Sequence, residues 1–327
     1  MRDFRGRTLI VGAGAAAVGL GVAVYLVVAS VPGPPPLAQA SATPTPRPSP
    51  TLLATPDPTP SPTPTPSPSP TPVPPERVTL LVLGSDADAA RIARGELPRI
   101  DSIIVASVNA ARDRIALISI PRDTVDVPMP DGSTWTRKIN ALYTERGIDA
   151  MRGAVETLLD IAIDHYVLLN MDDFRHLVDA MGGVDLTVPV AMQDPHVRLS
   201  IGAGPQRLSG TLALKYARSR YLDGDYARSG RQQELLVALA RTLADPSRVP
   251  NPGAVLAALS SLQTDLGAGE LVAALEVVRA SGRATVSKAV LKPPRYAVFA
   301  GLAGDRGWVM IPDVPAMRAL VAETFGD

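Results

Sequence analysis

Four arginines lie within fourteen residues in the second half of the chain, at Arg218, Arg220, Arg228 and Arg231. The wider segment 207–231 holds six Lys or Arg residues and two acids, although the whole chain has a formal net charge of zero. Guanidinium groups are planar and can pair through two N–H groups with phosphate oxygens. The cluster therefore predicts a phosphate-rich ligand. The alternative is a solvated helix surface that is covered with ion pairs.

Two aspartates stand next to apolar runs that have the composition of buried strands. Asp86 follows the run 78–83 and Gly84, and Asp101 comes directly before the run 102–108. Ligands of sheet-containing folds bind at strand ends. Two carboxylates brought together there could hold one Mg²⁺, which takes one or two carboxylates together with phosphate and water oxygens. The alternative is a pair of turn-forming aspartates.

A third apolar run, 115–120, ends at Pro121, and Arg122 and Asp123 follow it. Because proline ends a strand and fixes the turn, we expect Arg122 and Asp123 at the same sheet edge as the two aspartates. Lys138 is a further candidate positive charge for a phosphate group. The chain has no cysteine, which excludes disulfides and thiol catalysis, and its three histidines lack metal-ligand spacing.

The segments around these residues alternate between strand and helix patterns from residue 76 onward. The predicted strands are 78–83, 102–108, 115–120, 166–169, 184–188, 286–291, 296–299 and 308–311. The predicted helices are 149–160, 172–181, 209–216, 231–243, 255–262, 270–278 and 317–325. This order predicts an α/β fold or α+β sandwich, in which helices cover a central mixed β-sheet.

The N-terminal region contains one candidate membrane span. Residues 8–31 carry no charge, three arginines precede them, and the next Lys or Arg is Arg47. This pattern predicts a single transmembrane helix, with residues 1–7 in the cytoplasm and everything after residue 31 outside the cell membrane. A cleaved signal peptide is the alternative, because Ala38-Gln39-Ala40 looks like a cleavage site, but the length of the apolar run favours a retained anchor. Since the arginine cluster then lies outside the cytoplasm, no nucleic-acid partner is expected.

Residues 32–75 form a linker rich in proline, threonine and serine. Nineteen of the 33 prolines of the chain lie there. Such a composition cannot form a core, and it predicts a disordered, extended spacer. The linker would hold an extracytoplasmic domain, residues 76–327, away from the membrane.

Six short motifs together resemble the LytR-CpsA-Psr family in their order and approximate spacing, from about residue 78 to about residue 243. They are Leu83-Gly84-Ser85-Asp86, Arg99-Ile100-Asp101-Ser102, Ser119-Ile120-Pro121-Arg122-Asp123-Thr124, Lys138-Ile139-Asn140, the segment 178–184 and the segment 217–233. The resemblance implies a phosphotransferase that moves a glycopolymer from a polyprenyl-pyrophosphate carrier onto peptidoglycan or a similar envelope acceptor. Two alternatives stay open: a non-catalytic regulatory module that binds prenyl phosphates, which carries the older label of transcriptional attenuator, and a lipid pyrophosphatase.

The resemblance also implies roles for individual residues. Asp86 and Asp101 would bind Mg²⁺, with Mn²⁺ as an alternative metal. The catalytic set would be Asp86, Asp101, Arg122, Arg218 and Arg220. The pyrophosphate site would contain Arg99, Arg122, Lys138, Arg218, Arg220, Arg228 and Gln232. Candidates without an assigned role are Asp123, Asp225, Arg231 and Gln233.

One position departs from the family pattern. Members commonly carry a basic or polar residue two positions after the first aspartate, where this chain has Ala87-Asp88. Arg91 or Arg94 could supply the missing charge from the segment that follows, or Asp88 could enter the metal shell.

Overall fold

A six-stranded mixed sheet forms the centre of the computed structural model, which describes residues 77–267, 270, 277, 280–281 and 284–325. The strands are β1 (Val78–Ser85), β2 (Ile100–Val108), β3 (Arg114–Ser119), β4 (Val127–Pro128), β5 (Thr134–Trp135), β6 (His165–Leu169), β7 (Val184–Val188), β8 (Met192–Asp194), β9 (Leu199–Ile201), β10 (Gly204–Leu208), β11 (Gln263–Thr264), β12 (Thr285–Val290), β13 (Ala297–Leu302) and β14 (Trp308–Pro312). The central sheet has the order β11-β6-β1-β2-β3-β12. Strand β1 pairs antiparallel with β2 and parallel with β6, and β3 pairs parallel with β12.

Helices cover both faces of this sheet. In the described residues they are α1 (Ala89–Ala93), α2 (Leu142–Leu159), α3 (Met171–Ala180), α4 (Gly210–Arg218), α5 (Gly224–Ala244), α6 (Pro252–Ser260) and α7 (Val314–Phe325), with 3₁₀ turns at Ile139–Ala141, Pro246–Arg248 and Gly304–Arg306. The expected mixed sheet covered by helices is therefore confirmed.

Alternating residues of the central strands supply two separate cores. Leu80 of β1 packs with residues of α3, α4, α5 and α6, whereas Leu81 and Leu83 pack with residues of α2 and α7. This alternation follows from the pleat of a strand, which sends successive side chains to opposite faces. Truncation of a fully buried leucine such as Leu81 to alanine costs about 2–5 kcal/mol.

The predicted strands are all present, with ends that differ by up to three residues from the expected ones. Two helices start seven residues earlier than predicted. Helix α2 begins at Leu142 rather than at residue 149, and Gly147 interrupts it with a left-handed φ of 83°. Helix α5 begins at Gly224 rather than at residue 231. The segment 224–230 has no apolar periodicity, yet Asp225 in the first turn favours the helix by opposing its dipole.

Several expectations fall outside the described residues. They are the anchor at 8–31, the linker at 32–75 and most of the predicted helix 270–278. Within the described part of the chain, no helix has the length and apolar character needed to cross a bilayer.

Candidate functional site

A cavity of about 710 Å³ lies between the central sheet and helices α3, α4 and α5. Its inner wall is apolar and includes Val82, Ile104, Val167, Phe174, Leu235 and Leu239. Charged side chains line the cavity as well, and they are Asp86, Arg91, Asp101, Arg122, Asp194, Arg218, Arg220 and Arg228. An apolar chamber with a charged rim suits a ligand that has a hydrocarbon chain and an anionic group.

Asp86 occupies the rim because β1 ends in an irregularity. The register with β2 shifts between Gly84 and Ser85, after which Asp86 leaves the sheet. Gly84 allows the two strands to approach closely there, since a Cβ atom on it would lie 2.9 Å from the Cβ of Ser102. The Asp86 carboxylate accepts a hydrogen bond from the backbone N–H of Arg99 through Oδ1, at 2.8 Å. Its Oδ2 pairs with Arg91 Nη1 at 2.7 Å.

Asp101 is the second residue of β2, and its carboxylate pairs with Arg122. The distance from Arg122 Nη1 to Asp101 Oδ1 is 2.7 Å, and Arg122 Nε lies 3.1 Å from Asp225 Oδ2. The Arg122 side chain is 19% exposed. Burial alone lowers the pKa of Arg122, but the neighbouring aspartates outweigh it and the net pKa is raised. Arg122 is therefore a permanent cation that joins the end of β3 to both β2 and α5.

Arg228 is buried below this pair. Its Nη2 donates to the backbone oxygen of Asp101 and to Asp225 Oδ2, both at 3.1 Å, while its Nε has no hydrogen-bond partner. Burial lowers the pKa of Arg228 from its ordinary value, although Asp225 partly compensates. These contacts fix the first turns of α5 against the start of β2.

Arg218 and Arg220 line the same cavity but are exposed. Arg218 ends α4, and within the described residues its guanidinium has no ion pair or hydrogen bond. Arg220 lies 3.7 Å from Asp225 Oδ1, a loose pair at 58% exposure. Both side chains are thus available to an anionic ligand. Gln232 lines the cavity from α5 and donates to the backbone oxygen of Ala217 at 3.3 Å.

The remaining predicted site residues lie elsewhere. Arg99 is exposed and does not line the cavity, and Lys138 pairs instead with Asp123 at 2.7 Å. Gln233 is 1% exposed and donates to three acceptors in β3 and β12, at distances of 2.7 to 3.3 Å. Arg231 is buried and pairs with Asp223 at 2.6 Å. The structure thus brings six of the predicted charged residues to one cavity: Asp86, Asp101, Arg122, Arg218, Arg220 and Arg228. Gln233 and Arg231 instead make contacts that stabilise the fold.

The segment after Asp86 brings one of its two arginines next to that carboxylate. Arg91 reaches back from α1, lines the cavity and contacts Asp86, whose pairing raises the pKa of Arg91. Arg94 points to Glu96 at the surface, with a distance of 2.7 Å. Asp88 accepts from the backbone N–H of Arg91 at 2.7 Å, which places it at the start of α1.

The two aspartates predicted to bind metal have a donor set that fits a hard cation. Within the described residues no group of three or more His, Cys, Asp or Glu side chains is gathered as a metal site. Asp86 and Asp101 nevertheless line one cavity, from just after the end of β1 and from the start of β2, and Mg²⁺ usually takes one or two carboxylates beside phosphate and water oxygens. Asp101 Oδ2 has no hydrogen bond among the described residues. Their metal-binding role stays a prediction.

Sequence reasoning missed Asp194, a charged residue that lines the cavity. It lies in the short hairpin β8–β9, which was not predicted. The only local signal is Asp194-Pro195, which is typical of a turn and carries no sign of a binding site.

Comparison with known proteins indicates the same family as the sequence motifs. The family model described as the LytR_cpsA_psr family matches residues 62–301. A polyisoprenyl-teichoic acid–peptidoglycan teichoic acid transferase, TagU of Halalkalibacterium halodurans, is 39% identical over 171 residues, which are 51% of this chain and 55% of that protein. The corresponding transferase TagV of Bacillus subtilis is 34% identical over 163 residues, 48% of this chain and 42% of that protein.

A solved structure extends the comparison to the fold. The crystal structure of B. subtilis TagV superposes with a TM-score of 0.61 at 26% identity, covering 76% of this chain and 97% of that one. The sequence matches to the two relatives span only about half of their length.

Proposed function

We propose an activity for this chain, which belongs to the LytR-CpsA-Psr family. It transfers a glycopolymer from a polyprenyl-pyrophosphate carrier to peptidoglycan or a similar envelope acceptor. The observation that carries this proposal is the joint presence of an apolar chamber and an arginine-rich rim in one cavity. The relatives TagU and TagV, whose names describe the transfer of teichoic acid to peptidoglycan, support it.

The charges of the cavity fit a pyrophosphate that is esterified at both ends. Five arginine and three aspartate side chains line the cavity, and Asp225 pairs with three of these arginines, so the group as a whole carries a net positive charge. Such a pyrophosphate carries one negative charge on each phosphate. The prenyl chain would occupy the apolar part, where burial of each CH₂ group contributes about 0.8 kcal/mol.

The reaction is a phosphoryl transfer with a simple balance of bonds. The oxygen of an acceptor hydroxyl bonds to the phosphorus that carries the glycopolymer, and the bond from that phosphorus to the bridging oxygen breaks. Polyprenyl phosphate leaves, and the hydroxyl proton passes to a carboxylate, for which Asp86 and Asp101 are the first candidates. This chemistry asks mainly for positioning and for neutralised phosphate oxygens, which Arg218 and Arg220 would provide.

Asp86 and Asp101 are the residues that would hold Mg²⁺ or Mn²⁺, which when bound neutralises phosphate charge. Asp86 is held by Arg91 and by the Arg99 amide, whereas Asp101 keeps one oxygen without a hydrogen bond among the described residues. Asp101 is therefore the more accessible of the two oxygen donors.

The proposed function also requires a location outside the cytoplasm. Residues 8–31 would anchor the chain in the cell membrane as a single span, and the linker 32–75 would carry the domain toward the wall. Cysteine scanning of the linker with a membrane-impermeant thiol reagent in intact cells tests this orientation. Labelling that occurs in broken cells but not in intact cells would contradict it.

The transfer itself is tested with the purified full chain, a polyprenyl-pyrophosphate-linked glycan that carries a label, and a peptidoglycan fragment. Label on the fragment supports the proposal, and its loss with EDTA and recovery with Mg²⁺ supports the metal. Cleavage of the donor without transfer would identify a pyrophosphatase instead. Tight binding of the donor without turnover would identify the regulatory module.

A further inference from the structure

A buried carboxylate, Asp194, lies against the cavity at the end of β8. Its side chain is 1% exposed. Oδ1 accepts from the backbone N–H of His196 at 2.9 Å. Oδ2 accepts from Ser219 Oγ at 2.9 Å and from the backbone N–H groups of Arg220 and Tyr221 at 3.2 and 3.3 Å. Within the described part of the chain no Lys or Arg side chain pairs with it, so N–H and O–H dipoles alone balance its charge.

These bonds hold the connection between α4 and α5. Arg218 is the last residue of α4 and Arg220 lies inside the connection, so the two guanidinium groups that face the cavity flank Ser219. Ser219 is fully buried, and its carbonyl accepts from Arg231 Nη2 while its hydroxyl donates to Asp194. The peptide between the two arginines is therefore held from both sides.

We propose that Asp194 is a positioning residue of the pyrophosphate site: it fixes the backbone of residues 219–221 and thereby the direction of Arg218 and Arg220. This inference rests on the proposed function, because it assigns both arginines to the pyrophosphate. Hydrogen bonds to a charged acceptor are about twice as strong as neutral ones, which makes a carboxylate a firm anchor for a short connection.

Replacement by asparagine isolates this role because it keeps the shape and removes the charge. In Asp194→Asn the amide nitrogen must face at least one of the four donors, so the connection loses hydrogen bonds and gains freedom. A displacement of catalytic groups by about 1 Å can cost about 10²-fold in rate. We expect kcat/KM for the polyprenyl-pyrophosphate donor to fall by a factor that approaches this value.

A double-mutant cycle separates positioning from general destabilisation. The effect of Asp194→Asn is measured in the wild-type background and in the Arg218→Ala/Arg220→Ala background. If Asp194 acts through these arginines, its loss shrinks to nearly no change once they are absent. An equal factor in both backgrounds overturns the proposal.

Binding measurements keep this test distinct from a test of the proposed function. Farnesyl pyrophosphate is titrated into the full chain and its variants by calorimetry. No binding to the wild type means that the proposed function fails. Binding to the wild type together with an unchanged kcat/KM in Asp194→Asn means that only the positioning role fails.

Two further variants complete the design. Ser219→Ala removes one hydrogen bond to Asp194 and keeps the charge, so we expect a smaller loss of kcat/KM than in Asp194→Asn. If Asp194→Asn does not fold, this variant tests the positioning role in its place. Asp185→Asn is the matched control, since Asp185 is half exposed, pairs with Arg207 and Arg248, and does not line the cavity. We expect the control to bind like the wild type.

Discussion

The exposed Arg218 offers the cleanest test of the proposed pyrophosphate site. Within the described residues its guanidinium has no partner, so Arg218→Ala removes no native contact of that group. The loss of a charge from the last turn of α4 costs at most about 1 kcal/mol of folding free energy through the helix dipole. If Arg218 neutralises the transferring phosphates, turnover should fall by about 10²- to 10³-fold, which corresponds to about 2.7–4 kcal/mol of transition-state stabilisation. Transfer kinetics and urea unfolding on the same preparation measure both effects.

Lys215→Ala is the matched control for this variant. Lys215 is the other basic residue in the last turn of α4, it does not line the cavity, and it has no partner among the described residues. The two substitutions therefore remove the same charge from the same helix end. We expect the control to retain wild-type turnover. The reasoning is refuted if Arg218→Ala transfers at the wild-type rate, or if Lys215→Ala loses as much activity.

Three other substitutions give separate predictions. Leu236→Trp narrows the apolar part of the cavity, so it should weaken the binding of a long polyprenyl pyrophosphate. Calorimetry should show unchanged binding of inorganic pyrophosphate. Equal weakening of both ligands would contradict a role of the apolar part in binding the prenyl chain. Gln233→Ala leaves buried acceptors in β3 and β12 unpaired and should lower the free energy of unfolding in urea by about 1–3 kcal/mol; a large loss of kcat with unchanged stability would instead make Gln233 a site residue. Burial raises the pKa of Asp194, but the hydrogen bonds from Ser219 and the backbone outweigh it and the net pKa is lowered. Folding therefore favours the ionised carboxylate. Its contribution to the free energy of unfolding is fully present above about pH 4, the ordinary pKa of an aspartate in the unfolded chain, and is lost as the pH falls through the lowered pKa of the native state. Asp194→Asn should accordingly destabilise at pH 7 more than at pH 3, and an equal effect at both would contradict this sign.

Five of the six strands of the central sheet could be predicted because they carry a local signal, whereas the two-residue edge strand β11 was not predicted. Runs such as 78–83 are apolar and β-branched, and they end at glycine or proline, so their type and approximate bounds follow from short-range chemistry. Short strands such as β8, with three residues, have no such signal. The early start of α5 was missed for another reason. Its first turns are charged, and their burial depends on Asp101 in β2 and on Arg122 after β3, which are distant in the sequence.

The main charged residues of the candidate site could be predicted, but the residues that hold them in place could not. The position of Asp86, Asp101 and Arg122 follows from strand ends that must meet at one edge of the sheet. The roles of Arg91 and Asp194 depend on how a short helix and a hairpin fold back toward that edge. No spacing along the chain encodes those contacts.

The arginines of the cluster divide into two groups by their burial and their partners. Arg228 and Arg231 are buried and paired with aspartates, so they belong to the network of ion pairs that fixes α5. Arg218 and Arg220 are exposed and line the cavity. Removing a buried, paired arginine leaves its carboxylate unpaired and should lower stability, whereas removing an exposed arginine should leave stability nearly unchanged and lower activity only if that arginine binds the ligand. A charge run in a sequence therefore does not have a single meaning, and burial decides which arginines remain for the ligand.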